Sequence, residues 1–210
     1  TRLIKLSLLG LFVPTFFFVS ATPGLCMTLA LSLGMTIGVR RTLWMMAGEL
    51  VGVALVALAT LAGVAIIILA HPEIFVIFKL VGGAYLAFLG IQLWQSKGAM
   101  AITQESSRPD LMTRTQLATQ GFVTAIANPK GWAFFVAFLP PFIDHQLPIT
   151  AQIIILVSLI LIIEFICLIA YASGGRLLSG FLKNRSNVNL INRITGALII
   201  GVAIWLGLSS

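Results

Sequence analysis

Two acidic residues stand inside long apolar stretches, Glu49 in AGELVG and Glu164 in LIIEFICL. A carboxylate within a membrane span is costly when it faces lipid, so it normally faces the bundle interior and marks an ion pathway or a paired charge. There the carboxyl group can bind and release a proton or pair with the ammonium group of a ligand. The sequence therefore predicts a proton-coupling or ammonium-binding role for both residues. The alternative is a structural acid that is hydrogen-bonded or paired with Lys79 or Lys130.

A proline beside a polar residue interrupts two apolar stretches. The residues concerned are Thr22, Pro23 and Gly24 in the first stretch and Asn128, Pro129 and Lys130 in the fourth. Proline breaks a helix interior but is favoured as the first helical residue, with Thr or Asn favoured just before it as N-cap. We therefore expect each stretch to form two half-helices, the second of which begins inside the membrane at the proline.

The start of such a half-helix would suit a negatively charged group. Its free N–H groups carry a partial positive charge, and Lys130 would add a full charge beside one of the two starts. The six residues around the prolines are therefore candidates for binding a substrate carboxylate. The alternative is that both prolines only kink packed helices and that the Lys130 ammonium reaches the membrane surface.

The elements that must position these residues are membrane-spanning helices. Of the 210 residues, 59% are hydrophobic and 9% charged, with a mean hydropathy of +1.08, whereas soluble domains carry roughly a quarter charged residues. Six stretches are long enough to cross a hydrocarbon core of about 30 Å as helices. They cover roughly residues 4–33, 43–70, 74–95, 116–140, 149–175 and 190–208. The sequence thus predicts an all-α integral membrane protein.

The order of motifs repeats in the two halves of the chain. FVSATP in the first half resembles FVTAIANP in the second, and each half continues with one intramembrane acid and a later Gly-Ala pair. Because each half has three spans, the second copy would enter the membrane inverted, an arrangement typical of transporters with a midplane site. We predict a three-helix repeat over residues 1–95, a cytoplasmic linker over 96–115 and an inverted three-helix repeat over 116–210.

The distribution of lysine and arginine predicts the orientation. Most of the 13 basic residues fall on one side of the predicted spans. They are Arg40, Arg41, Lys97, Arg108, Arg114, Arg176, Lys183, Arg185 and Arg193. The positive-inside rule makes that side cytoplasmic and places both termini outside. The net charge of +7 then follows from topology, with anionic lipid rather than nucleic acid as the charged partner.

Motifs in four spans resemble those of the LysE and RhtB type amino-acid exporters. They are a Pro-Gly pair in span 1, Gly-Glu in span 2, FKLVGGAYLAFLGIQLW in span 3 and NPKGWAFFVAFLPPF in span 4. The resemblance covers nearly the whole chain, although the family's Pro-Gly-Pro motif stands here as Pro23-Gly24-Leu25 and its usual aspartate of span 2 as Glu49.

The resemblance implies a secondary-active exporter in the bacterial inner membrane. Such a protein would move amino acids or related metabolites out of the cytoplasm by proton antiport, with alternating access to a site between the inverted halves. We accordingly expect a carrier rather than an enzyme, with no cofactor. The glycine-rich spans are compatible with a homodimer.

Two other functions occur in related proteins. A membrane thiol-disulfide carrier would pair cysteines of spans 1 and 4, whereas here Cys26 corresponds to Trp132 and the other cysteine, Cys167, lies in span 5. A divalent metal-ion exporter would need several carboxylate, thiolate or imidazole ligands. Within the spans only Glu49, Glu164 and the two separated thiols are available, and we predict no metal site.

Overall fold

The computed structural model describes residues 6–70, 72–96, 111–144 and 147–208, and within these ranges the chain is helical apart from short connections. The helices are α1 (Leu6–Ala21), α2 (Leu25–Ile37), α3 (Val39–Ala70), α4 (Pro72–Trp94), α5 (Arg114–Ile126), α6 (Pro129–Phe138), α7 (Ile149–Lys183) and α8 (Arg185–Leu208). Pro140–Phe142 adds a single 3-10 turn. The predicted all-α class is confirmed.

Several of these helices are long and apolar enough to cross a membrane. Within the described residues they are Val39–Gly63, Ile149–Gly175 and Arg185–Leu208. Two helix pairs pass the same test together, α1 with α2, bent by 56°, and α5 with α6, bent by 54°. The described apolar part of α4 is the shorter segment Leu80–Trp94. The protein is thus multi-pass, while six spans and an inverted repeat stay predictions.

Both predicted helix breaks are confirmed, and helical segments also extend into two of the stretches between the predicted spans. Arg40 and Arg41 belong to the first turn of α3, because Gly38 alone connects α2 to α3 at a φ of 78°. Similarly, the span that begins at Ile149 ends at a kink at Gly175, whose φ is 46°, and a further helical segment runs from there to Lys183. Glycine adopts positive φ without a steric penalty, so a single residue can replace a loop. The predicted linker lies largely outside the described residues.

Glycines bring the broken spans into backbone contact with the long helices. A Cβ added to Gly121 of α5 would lie 2.0 Å from the carbonyl oxygen of Met45 in α3. A Cβ added to Gly34 of α2 would lie 2.2 Å from the carbonyl oxygen of Ala172 in α7. Small residues permit such close approach between membrane helices. Each broken span therefore packs along the long helix of the other half of the chain.

A cluster of phenylalanine rings fills the space between α1 and α6. Phe138 lies 5.4 Å from Phe12, 4.6 Å from Phe134 and 4.9 Å from Phe142, measured between ring centroids. All four side chains are buried. Because α1 begins and α6 ends on the side opposite to Arg114, this aromatic cluster lies towards the end of the bundle away from Arg40, Arg41 and Arg114.

Candidate functional site

One cavity of about 110 Å³ lies between the two helix breaks. The polar residues that line it come from α1, α3, α7 and both breaks, and they are Ser20, Thr22, Glu49, Asn128 and Glu164. The other residues of its wall are mainly apolar and include Phe16, Val19, Val53, Val56, Phe134 and Phe135. Such a volume exceeds the roughly 10–15 Å³ needed for one water molecule. The fold therefore brings both intramembrane acids to one partly open, largely apolar space.

The first half-helix start differs from the predicted one. The N-cap of α2 is Gly24, and the helix begins at Leu25 rather than at Pro23. Thr22 does not act as the N-cap, because its hydroxyl bonds the backbone oxygen of Phe18 at 2.8 Å and the hydroxyl of Thr195 at 2.9 Å. Thr22 thus lines the cavity but uses its hydroxyl in helix packing, and Pro23 is half-buried and is not part of the lining.

Backbone N–H groups of α2 are nevertheless directed to this region. The first intrahelical bond runs from the N–H of Thr28 to the oxygen of Gly24 at 2.9 Å. The N–H groups of the preceding helical residues, Leu25 to Met27, have no i−4 partner within the helix. Since Gly24 through Met27 all line the cavity, the positive end of the α2 dipole lies at its wall.

The second half-helix start matches the prediction in its position. Here α6 begins at Pro129, and the carbonyl oxygen of Asn128 accepts bonds from the N–H groups of Gly131 at 3.1 Å and Trp132 at 3.4 Å. Asn128 and Gly131 line the cavity. The side chains of Pro129 and Lys130 lie outside the described part of the structure, so the charge that Lys130 would supply stays a prediction.

The two acids have unlike surroundings. Glu164 is partly exposed, and its Oε2 accepts a hydrogen bond of 2.6 Å from the hydroxyl of Ser20. Glu49 is 0% exposed, and neither of its carboxyl oxygens has a hydrogen-bond partner among the described residues. The Glu164 carboxyl and the Cys26 thiol lie within hydrogen-bonding reach of the Glu49 carboxyl, although neither makes a hydrogen bond of ordinary geometry with it. The cavity thus contains an interacting carboxyl pair.

Sequence reasoning missed the side chains that support the breaks and the acids. Ser20 was not singled out, although it binds Glu164. The Tyr171 hydroxyl donates to the carbonyl oxygen of Ala21, the last residue of α1, at 2.7 Å. A break leaves the last carbonyl groups of a helix without intrahelical partners, which signals that donors are needed. The sequence does not show which residue supplies them.

This arrangement is that of a membrane translocator: apolar helices, two of the spans broken, surround a polar cavity that also holds carboxyl groups. Residues 17–210 match the LysE type translocators, and the chain belongs to this family. The resemblance read from the motifs is therefore confirmed, and the protein is a multi-pass protein of the bacterial inner membrane.

Similar proteins come from several bacteria. An uncharacterized membrane protein of Vibrio cholerae is 25% identical over 89% of this chain and 90% of its own length. The leucine efflux protein of Enterobacter sp. is 28% identical over 89% of each chain. The homoserine/homoserine lactone efflux protein of Salmonella typhi is 29% identical over 60% of each chain. No solved structure matches the chain.

Proposed function

We propose that the protein exports amino acids or related metabolites by proton antiport, with alternating access to the cavity between the breaks. The observation that carries the proposal is the meeting of two half-helix starts and two carboxyl groups in one cavity. An amino acid at neutral pH has a carboxylate that suits helix starts and an ammonium group that suits carboxylates. The names of the efflux relatives support this substrate class.

In this proposal, the substrate carboxylate binds at the starts of α2 and α6. Gly24 and Asn128 line the cavity there, while the Thr22 hydroxyl is already bonded to Thr195. Pro23 and Pro129 would act by ending the preceding helix rather than by contact, and Lys130 would add charge. The apolar wall formed by residues such as Val53 favours an uncharged substrate side chain.

The carboxyl pair would couple export to the proton gradient. Glu49 and Glu164 interact in one cavity, and two neighbouring carboxylates are costly unless a proton or another cation is present. A proton from outside and the substrate ammonium from inside would then compete for the same groups. Binding of either one excludes the other, which is the condition for exchange.

Neither alternative function is favoured by the described residues. No group of three or more histidine, cysteine, aspartate or glutamate side chains in the described ranges could hold a metal ion. Cys26 and Cys167 are both free and buried in this structure. Amino-acid efflux is also the activity named for the relatives at 28% and 29% identity.

The first experiment is efflux from proteoliposomes that contain a mixture of radiolabelled amino acids, with and without an imposed proton gradient. We expect gradient-dependent efflux of a few amino acids with uncharged side chains. The Glu164→Gln variant should lose at least about tenfold in gradient-driven efflux, since the coupling charge is removed. A matched control is Ser173→Ala, because the Ser173 hydroxyl bonds the backbone oxygens of Ile169 and Ala170 in its own helix.

Two results would contradict the proposal. Normal gradient-driven efflux by Glu164→Gln would remove this residue from the mechanism. If no amino acid moved while the purified protein remained folded, we would abandon amino-acid export and test divalent cations, then thiol exchange through Cys26.

A further inference from the structure

The two halves of the chain have hydroxyl residues at matching positions of their motifs, and these hydroxyl groups bind different partners. Matching FVSATP with FVTAIANP puts Thr124 at the position of Ser20, and Glu49 corresponds to Glu164. The Ser20 hydroxyl donates to Glu164 across helices at 2.6 Å. The Thr124 hydroxyl instead donates to the backbone oxygen of Gln120 in its own helix at 2.7 Å. One carboxyl group of the pair therefore has a hydroxyl donor, whereas the other has only the Cys26 thiol and the carboxyl group of its partner nearby.

The carboxyl group that lacks a hydroxyl donor also has no exposed surface. Glu49 is 0% exposed and lines the cavity, and its two oxygens have no hydrogen-bond partner in the described part of the chain. A buried polar group without a partner is costly. Because Glu49 borders the cavity, a proton or a small ligand cation can supply the missing partner.

The groups around Glu49 limit what can compensate its charge. Cys26 from α2 and Glu164 from α7 interact with it, and both groups would add negative charge if ionised. No lysine or arginine occurs among the described residues that line the cavity. The described lining from α5 and α6 is uncharged, and the Lys130 side chain lies outside the described residues. Among the described lining residues none can compensate the charge of Glu49, so a proton or a ligand cation is a suitable partner.

We propose that Ser20 is a positioning residue that makes the two carboxyl groups inequivalent. Glu164 is held in place by the Ser20 hydroxyl, whereas Glu49 exchanges a proton for the substrate ammonium. This inference rests on the proposed function. A hydroxyl donor stabilises the charged form of the carboxyl group that accepts it, so of the two acids Glu164 holds a negative charge more readily and keeps its place. The single cation that the pair requires resides on Glu49, and its arrival and departure form the coupled step.

A carboxyl-reactive probe can distinguish the two acids. Dicyclohexylcarbodiimide adds to protonated carboxyl groups in apolar surroundings, and peptide mass spectrometry assigns the adduct to a residue. In the full chain reconstituted at neutral pH, we expect at least about tenfold more adduct on Glu49 than on Glu164, since a hydrogen bond to a charged group changes an equilibrium by that order. Equal labelling of the two residues would overturn the proposal.

Variants of the two hydroxyl residues provide matched tests. Ser20→Ala should bring the labelling of Glu164 up to that of Glu49 and move the pH midpoint of efflux by about one unit. Ser20→Thr keeps a hydroxyl and should retain both wild-type properties. Thr124→Val removes the corresponding hydroxyl of the other half and should change neither. A Ser20→Ala protein with the wild-type distribution of adduct would show that Ser20 does not distinguish the acids.

The failure of this inference can be told apart from failure of the proposed function. If Glu49→Gln and Glu164→Gln both transport normally, the carboxyl pair is not used and the proposed function fails. If both variants lose gradient-driven efflux while labelling of the wild type is equal, export by the pair stands and only the division of roles is wrong. Size-exclusion chromatography of each variant establishes that it is folded before either comparison is made.

Discussion

The two helix breaks bend the chain by similar angles, 56° and 54°, but they are stabilised differently. At the first break, Tyr171 of α7 donates to the carbonyl oxygen of Ala21 at 2.7 Å. At the second, Trp132 of α6 donates to the carbonyl oxygen of Ile126 at 2.9 Å. The first break is thus tied to a helix of the other half, whereas the second is closed by a residue only six positions along the chain.

Further contacts strengthen this difference. Thr195 of α8 donates to the carbonyl oxygen of Phe18 at 3.1 Å, next to the first break, and Ser20 joins the same helix to α7. Two breaks with similar angles can therefore differ in how their motion is coupled to the rest of the bundle. We expect the first break to move together with α7 and α8, and the second to move as a local unit.

The largest effect is expected at the contact between α5 and α3, next to the second break. Gly121→Ala places a Cβ 2.0 Å from the oxygen of Met45, so α5 must move away from α3 at a cost of about 3 kcal/mol. Gly63→Ala is the control, because an added Cβ there meets nothing within 4 Å. The stability of both variants is compared through their apparent melting temperatures in detergent. Equal stability of the two variants would show that this contact does not hold α5.

The next largest effect is expected when the hydrogen bond between α7 and the first break is removed. Tyr171→Phe leaves the buried end of α1 without its donor, which should lower the free energy of unfolding by about 2 kcal/mol. Tyr85→Phe is a matched control, since the Tyr85 hydroxyl has no hydrogen bond to the described residues. Thermal unfolding and hydrogen exchange should show loosening at both α1 and α7. A change confined to α1 would contradict the coupling between these helices.

The smallest effect is expected at the second break. Trp132→Phe removes the bond to Ile126, but the Trp132 side chain is 37% exposed, so water can replace the donor and the cost should be about 1 kcal/mol or less. Faster hydrogen exchange should appear in α5 and α6 alone. Trp94→Phe, at the exposed end of α4, is the control. If Trp132→Phe destabilised the protein more than Tyr171→Phe, the comparison between the breaks would be reversed.

The sequence predicted the position of the breaks better than their capping. Asn128 and Pro129 begin α6 as expected, because the start signal depends only on neighbouring residues. The same signal at Thr22 and Pro23 gave the wrong helix start, since Thr22 bonds Thr195, which is 173 positions away. The local preference was overridden by a partner that only the folded chain brings near.

The sequence alone determined the helical class, the family and the two breaks. It also determined that Glu49 and Glu164 lie inside the bundle. These features depend on apolar length, proline and motif identity, which are local properties of the chain. Only the tertiary structure decided that Glu164 receives the hydroxyl of Ser20 while Glu49 receives no donor among the described residues. The direction in which a side chain faces depends on how helices from both halves pack, and that information is spread over the whole chain.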